Sequence, residues 1–534
     1  MLAAGPAGAQ RVDFQIYGKP PLGAFGIDTL EHIEGAAKMG MTLTFTYDLS
    51  LGKKQLDPAD PLGQAIAAHR MKVMYNLSSR FNQVRLANDV SATDTVIPVT
   101  AEKAGALQSF AEAGYFVIEG ERIEYGRRTG AGFEDCRRGA GGTKPAAHGK
   151  RLLICNPEAL RLDILSVKDS PNLWGYWLAD DARDAEADSL KEMTRVIRAA
   201  DRDAEGRQNA HVIVLGIGGA SAMSNYSPGV CDALGVYLYP YRSGSLDPKV
   251  RNQIRYITDR ARSVEPHIGL IGVYQAFHDT GNAAYRDMPT PQQVREDMLS
   301  YYDYGADGSM AFAYHSDGRE RGQLGLDAHP EIVAMISSTD SEIVAGKVKR
   351  VVPEVGVRDW FSVLVGAEAK PSPGGVPLYD LDNPAKRDAL VKSEPAFLAA
   401  RILRVDGREY PACVTLPAWD RNDPKSARWP IAQIRSTWMA TTDWSGFRFL
   451  EQPVYNAGDE AIEVWVGIED ADKTEWNPPS IRIPPRVPVL LRVSIGEARL
   501  FLSAPDKIAR WYFVENSPVS RTEFFVGTPM LIPR

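Results

Sequence analysis

The apolar positions of the chain change their spacing twice, and the changes divide it into segments. Up to about residue 85, short apolar runs of strand length alternate with stretches whose apolar residues recur three and four apart. Residues 12–17 (VDFQIY) alternate as a strand does. Residues 28–39 follow with an N-cap aspartate and helical spacing of Leu30, Ile33 and Ala37, ended by Gly40. Residues 41–47 (MTLTFTY) form a β-branched strand running into Asp48, 61–70 a second helix and 72–77 (KVMYNL) a third strand. Repetition of this kind predicts a parallel sheet built by right-handed crossovers. After Asn156 the rhythm resumes. Helices are predicted over 157–167, 185–204, 248–264, 290–304 and 330–345, and strands over 173–178, 211–216, 235–239, 268–277 and 309–314. Eight strands alternating with helices predict a (β/α)8 TIM barrel over 11–85 and 154–347.

Between these halves, residues 86–153 carry short alternating strands punctuated by Gly120, Gly130 and the Gly139–Gly142 cluster, the pattern of hairpins in an inserted small all-β module. From about Val351 the period becomes two and stays there, in runs such as AIEVWVGIED, PVLLRVSIG and RTEFFVG. Residues 351–534 are expected to form a C-terminal, jelly-roll-like β-sandwich.

Composition narrows the function. With 534 residues, 44% apolar and 24% charged, the chain suits a soluble globular protein of two or three domains. A net charge of -7 argues against a nucleic-acid partner, which demands a basic face. The longest apolar runs fall short of the roughly 20 residues of a membrane helix. The four cysteines are scattered; Cys136 and Cys155 bracket one segment and are the pair that could bridge. No CxxC or HExxH spacing marks a metal site, and no cofactor is implied. The opening MLAAGPAGAQ matches the tail of a cleaved export signal but lacks its basic start, so a secreted, surface or periplasmic protein is the expectation.

Candidate chemistry concentrates in PNLWGYWLADDARDA, residues 171–185. An apolar, aromatic run is followed at once by Asp180 and Asp181, and strand C-terminal ends are where barrels hold reactive groups rigidly beside solvent. The structural alternative is that one carboxylate caps the helix starting near Ala185 and the other is solvated.

NLWGYWLADD looks like the strand-four segment of glycoside-hydrolase-type barrels, which read aromatic-Leu-x-Asp-Glu-Pro; DALGVYLYPY, GVYQAF, PTPQQVRED and GSMAFAYHS are similar to strands six to eight of that group. The resemblance implies a polysaccharide-hydrolysing enzyme in which Asp181 stands at the general-acid position, Asp180 precedes it and Ala182 replaces the proline. At strand seven, where retaining members place a nucleophilic glutamate, this chain offers Gln275, which cannot attack carbon. Three resolutions stand open: a second acid elsewhere on the rim, with Asp48 and Asp317 best placed and a gap of about 6.5 to 9.5 Å to Asp181 suiting inversion; a neighbouring acid that raises one carboxyl's pKa and fits it to proton donation; or a barrel that binds glycans without cutting them. Tyr17, Tyr47, Trp177, Tyr239, Tyr241, Tyr274, Phe277 and Tyr314 are candidate stacking faces for sugar rings, with Asn76, Gln275 and His315 as hydrogen-bonding groups, although core packing is the competing role for each aromatic.

The insert resembles small β domains of bacteriophage tail and baseplate proteins through DVSATDTVIPVT, YFVIEGERIEYG and CRRGAGGTKPAAHG, which makes virion association a second expectation for location. The C-terminal part resembles the jelly-roll carbohydrate-binding modules found beside agarase-like hydrolases; Trp419, Trp429 and Trp476 would be its stacking residues, and Trp465 and Trp511 its core. The alternative to an enzyme is a non-catalytic glycan-binding or virion-type structural protein.

Overall fold

The computed structural model describes residues 12–78, 84–101, 105–180, 187–219, 226, 228–242, 245–315, 322–351, 363–365, 372–394, 397–418, 430–459, 461–476, 481–499, 501–514 and 521–534. The chain divides into two compact units, residues 1–355 and 356–534. The first unit contains a closed barrel of eight parallel strands: β1 (Leu22–Phe25), β2 (Leu43–Phe45), β3 (Lys72–Asn76), β4 (Leu173–Trp177), β5 (Val212–Ile217), β6 (Ala233–Val236), β7 (Gly269–Gln275) and β8 (Gly308–Phe312). Pairing of Leu22 with Ser309 and of Gly23 with Leu43 joins the first strand to its last and second neighbours and closes the ring. Helices α1 (Leu30–Lys38), α2 (Leu49–Leu56), α3 (Pro61–Ala68), α4 (Pro157–Val167), α5 (Ala187–Ala200), α6 (Pro248–Val264), α7 (Pro291–Asp303) and α8 (Pro330–Val344) connect the strands.

Two elements depart from expectation. Residues 12–17 are not the first strand. The chain turns back at Tyr17 (φ 51°) and Gly18 (φ 78°), and Phe14 and Ile16 are buried in the same apolar cluster as the barrel interior. Trp174 Nε1 donates to the Phe14 carbonyl at 3.2 Å, and a Cβ on Gly269 would lie 2.3 Å from the Phe14 ring. The segment therefore plugs the mouth where the strands begin. The true first strand is the LGAF run, which shows no alternation because a parallel strand is buried on both faces. The second departure is α2, hidden in LSLGKKQL. It forms because Asp48 caps it, and Gly52 fits closely against the sheet, where an added Cβ would meet the Tyr75 ring at 3.2 Å.

The barrel interior is filled by Phe25, Phe45, Met74, Trp177, Val214, Ile271, Val273 and Met310. Trp177 is the largest, and it is accommodated because β5 and β6 present glycines: a Cβ on Gly216 or Gly235 would come within 2.5 or 2.3 Å of its ring.

The insert after β3 begins at Val84. It contains a four-stranded antiparallel sheet (Val84–Leu86, Ile97–Ala101, Gly132–Glu134, Arg127–Arg128) and the hairpin Gly114–Ile118/Glu121–Tyr125, packed on Phe110, Phe116, Tyr125 and Phe133. Cys136 and Cys155 are both buried and unbridged, and burial pushes the Cys136 thiol up to about 11.

The second unit is antiparallel. One sheet runs through Val363–Val365, Pro488–Ser494, Phe447–Tyr455, Thr522–Val526, Ala412–Leu416 and Leu398–Ala399, the other through Ile431–Arg435, Ile508–Val514, Ile462–Asp470 and Glu475–Trp476. Trp444, Trp511, Leu450, Val466, Phe513 and Phe524 belong to one shared core. Trp476 joins that core at 3% exposure instead of standing ready for a sugar, and Trp465 is half-buried; Trp419 and Trp429 lie outside the described residues.

Candidate active site

Parallel strands deliver all their C-terminal ends to one rim, where a cleft of about 490 Å³ opens. That volume falls within the usual range of small-ligand sites, about 300 to 1,000 Å³. Its apolar lining includes Phe25 from β1, Tyr47 after β2, Tyr237 and Tyr239 after β6, Phe277 and Tyr285 after β7, and Phe312 at the end of β8. The rings form a continuous wall. Phe25 lies 5.9 Å from Tyr47 and 5.6 Å from Phe312, Phe312 lies 5.7 Å from Tyr239 and 5.4 Å from Phe277, and Tyr285 closes the end 5.5 Å from Phe277.

Among the described residues, two carboxylates line this aromatic cleft, Asp180 after β4 and Asp279 after β7, and both are half-buried. The Tyr47 hydroxyl reaches Asp180 Oδ2 at 3.4 Å. Burial, followed by the neighbouring Tyr47 and Tyr301 hydroxyls and Asp180, holds the Tyr239 pKa well above its ordinary value, so this phenol remains a neutral hydrogen-bond donor. Asp279 is positioned by its loop: Oδ1 accepts the Gly281 N–H at 2.9 Å, and His278 and Asp279 pair antiparallel with Leu324 and Gln323. Thus the β7 and β8 loops support one carboxylate together. Arg242, Gln253, Asn282 and Gln323 add polar groups to the walls.

The other residues expected at the site are placed as follows. Asp181 and Asp317 lie outside the described residues. Asp48 caps α2, where its Oδ1 accepts the N–H groups of Ser50 and Leu51 at 2.7 and 3.1 Å; these bonds, led by Leu51, hold its pKa below the ordinary value. Gln275 is fully buried beneath the cleft: its side-chain Oε1 accepts the Tyr241 N–H at 3.2 Å, and its backbone N–H donates to Asp297 Oδ2 at 2.9 Å. It pins the β6 loop and does not line the cleft. Asn76 is likewise internal, donating to the Tyr47 carbonyl and accepting from Ser78.

Trp177 fills the barrel and is fully buried. Tyr241 is buried, with its hydroxyl donating to Glu296 at 3.1 Å. Tyr17 is 51% exposed and sits beside Arg70 and Lys72, at the end where strands start. Tyr274 is buried and Tyr314 packs against α1, its hydroxyl 1.9 Å from where a Cβ on Gly35 would stand. His315 is held by Asp327 at 2.9 Å. Asp279 was missed by sequence reasoning; the turn-forming Asp-Thr-Gly-Asn immediately after the β7 run was the available signal.

No family model and no curated protein matches the chain. Solved structures similar to it include an exo-β-agarase (13% identity, TM-score 0.21, 26% of this chain and 22% of that one). Others are a polyextremophilic β-galactosidase from the Antarctic haloarchaeon Halorubrum lacusprofundi (12%, TM-score 0.37, 60% and 58%) and GH5_18 from Streptomyces cattleya in complex with GlcNAc (10%, TM-score 0.35, 63% and 83%). The chain thus spans less than two thirds of the agarase and of the β-galactosidase. What the chain's own fold and rim define is a (β/α)8 barrel protein with a β insert, a second antiparallel β unit and an aromatic cleft lined by the carboxylates of Asp180 and Asp279.

Proposed function

We propose that this protein binds a saccharide in the rim cleft and hydrolyses a glycosidic bond by carboxylate acid–base catalysis. The observation that carries the reading is that Asp180, after β4, and Asp279, after β7, both line one cleft walled by aromatic rings. Aromatic faces suit the apolar faces of pyranose rings. Glycoside hydrolysis requires one carboxyl to protonate the leaving oxygen while a second, ionised, meets the anomeric carbon or the water that attacks it. Asp180 and Asp279 supply that pair, the Tyr47 and Tyr239 hydroxyls supply hydrogen bonds to sugar or carboxylate, and Asp181, next in the chain, is the alternative proton donor. The partner is an oligosaccharide or polysaccharide.

A second reading, a barrel that holds glycan without cutting it, is favoured by Gln275 standing where a retaining enzyme needs a glutamate. Binding and release assays on a glycan panel separate the two. Release lost in both D180N and D279N supports the pair, and release lost in D181N but kept in D279N moves the proton donor to Asp181. Binding without release by wild type supports the second reading.

A further inference from the structure

We propose that His32, His315 and Asp327 form a binding site for one divalent transition ion of the Zn²⁺ class. The three side chains come from separate parts of the chain, the first turn of α1, the segment after β8, and a 3₁₀ turn at Leu326–Ala328. One donor atom of each lies within 4.8 Å of the other two. His315 Nδ1 and Asp327 Oδ2 are 2.9 Å apart. Two ligands bound to one Zn²⁺ at about 2.0 to 2.2 Å stand roughly 3 to 3.5 Å from each other. That pair is therefore already near ligand spacing, and the third donor stands within 4.8 Å of both. The His32 and His315 rings stack with centroids 5.1 Å apart, so both imidazoles approach the same space.

The backbone beneath the site is tightly built. Gly26 (φ 77°) passes so close to the His315 carbonyl that a Cβ would stand 2.0 Å from its oxygen. Tyr314 N–H donates to Phe25 at 2.7 Å and Asp327 N–H to Tyr314 at 3.0 Å, which locks the β1–α1 turn to the β8–α8 connection. His32 Nδ1 accepts the Asp28 N–H at 3.3 Å, a long bond that is given up when Nε2 takes the ion and the ring proton moves to Nδ1. The His315 and Asp327 side chains are 26% and 17% exposed, so an ion can enter from solvent and retain open positions. A donor set of two imidazoles and one carboxylate selects Zn²⁺, Co²⁺ or Ni²⁺ over Mg²⁺ or Ca²⁺, which prefer all-oxygen shells. Phe25 at the end of β1 and Gln323 after β8 line the rim cleft, so the ion would brace one wall of it. The inference does not depend on the hydrolase reading.

The test uses the full chain, stripped with chelator and dialysed, titrated with ZnCl₂ by calorimetry and with CoCl₂ by visible absorption. The expected result is one ion per chain and a Tm that rises with free Zn²⁺. Affinity should fall at least tenfold in each of H32A and H315A, vanish in the double variant and be unchanged in H69A. D327N keeps the size and most of the hydrogen bonding of the aspartate and should weaken binding without altering the far-UV spectrum. Failure of wild type to bind Zn²⁺ at millimolar concentration would overturn the proposal. So would folded H32A/H315A binding it with wild-type stoichiometry and affinity.

Discussion

The insert and the barrel rim both place carboxylates among aromatic and basic groups, yet they use them in opposite ways. In the insert, Glu121 is 3% exposed and saturated: Arg138 binds it through two nitrogens at 2.9 and 2.8 Å, His148 Nε2 stands 2.6 Å away, and the Gly139 and Ala146 N–H groups complete it. Burial works against the charged form of Glu121, but these bonds outweigh it and hold the pKa below the ordinary glutamate value. At the rim, Asp180 and Asp279 are half-buried and line an open cleft. Charge enclosed by matched partners fixes a fold; on the proposed reading, charge that lines a cleft among ring faces meets the ligand. Asp48 shows the same distinction within the barrel, because its carboxylate is spent on a helix cap.

The largest stability effect should come from breaking the enclosed charge. Glu121→Ala leaves the buried Arg138 and His148 groups facing a hole, which should destabilise the insert by about 3 to 5 kcal/mol. Limited proteolysis within 84–155 and hydrogen exchange would detect it. The same site sets an acid limit. Because the folded pKa of Glu121 is depressed, its contribution is complete above the unfolded value of about 4.3 and is lost as pH falls through the lower folded value. A plot of Tm against pH should therefore lose part of its acid slope in E121Q.

At the rim the opposite split is expected, with function lost and stability kept. Asp180→Asn and Asp279→Asn should each lower kcat by about 10²- to 10⁴-fold, with Tm near wild type. Tyr239→Ala, which removes one ring of the wall, should weaken saccharide binding roughly tenfold, or about 1.4 kcal/mol, in calorimetry. The smallest effect belongs to Asp48→Ala: about 1 kcal/mol of stability from the lost cap, read by denaturant unfolding, with turnover unchanged. A large loss of turnover in D48A would blur the distinction between cap and rim.

Much of the fold was legible because β3, β4, β7 and β8 are apolar runs of strand length, and a buried parallel strand needs no alternation. The first strand was not, because VDFQIY carries the better pattern while LGAF is short and contains a glycine; only packing of Phe14 under Gly269 shows which of them belongs to the barrel. The site was legible by position more than by residue. Strand four pointed first to Asp181, which lies outside the described residues, and then to Asp180, which lines the cleft; at strand seven the side chain of Gln275 accepts the Tyr241 N–H, while Asp279 lines the cleft from the following turn. Trp177 resembled a sugar platform because the glycines that make room for it lie on other strands. The His32, His315 and Asp327 cluster has no local spacing to read, since its first and second members lie at opposite ends of the barrel sequence.

The central claim is that Asp180 and Asp279 act on one saccharide in one cleft. Reducing-end release from a broad polysaccharide panel, measured for wild type, D180N and D279N alongside glycan binding, tests it most directly. The account predicts release by wild type, loss of release in both variants, and binding kept in both. Release that survives in both variants, or binding without release in wild type, would contradict it.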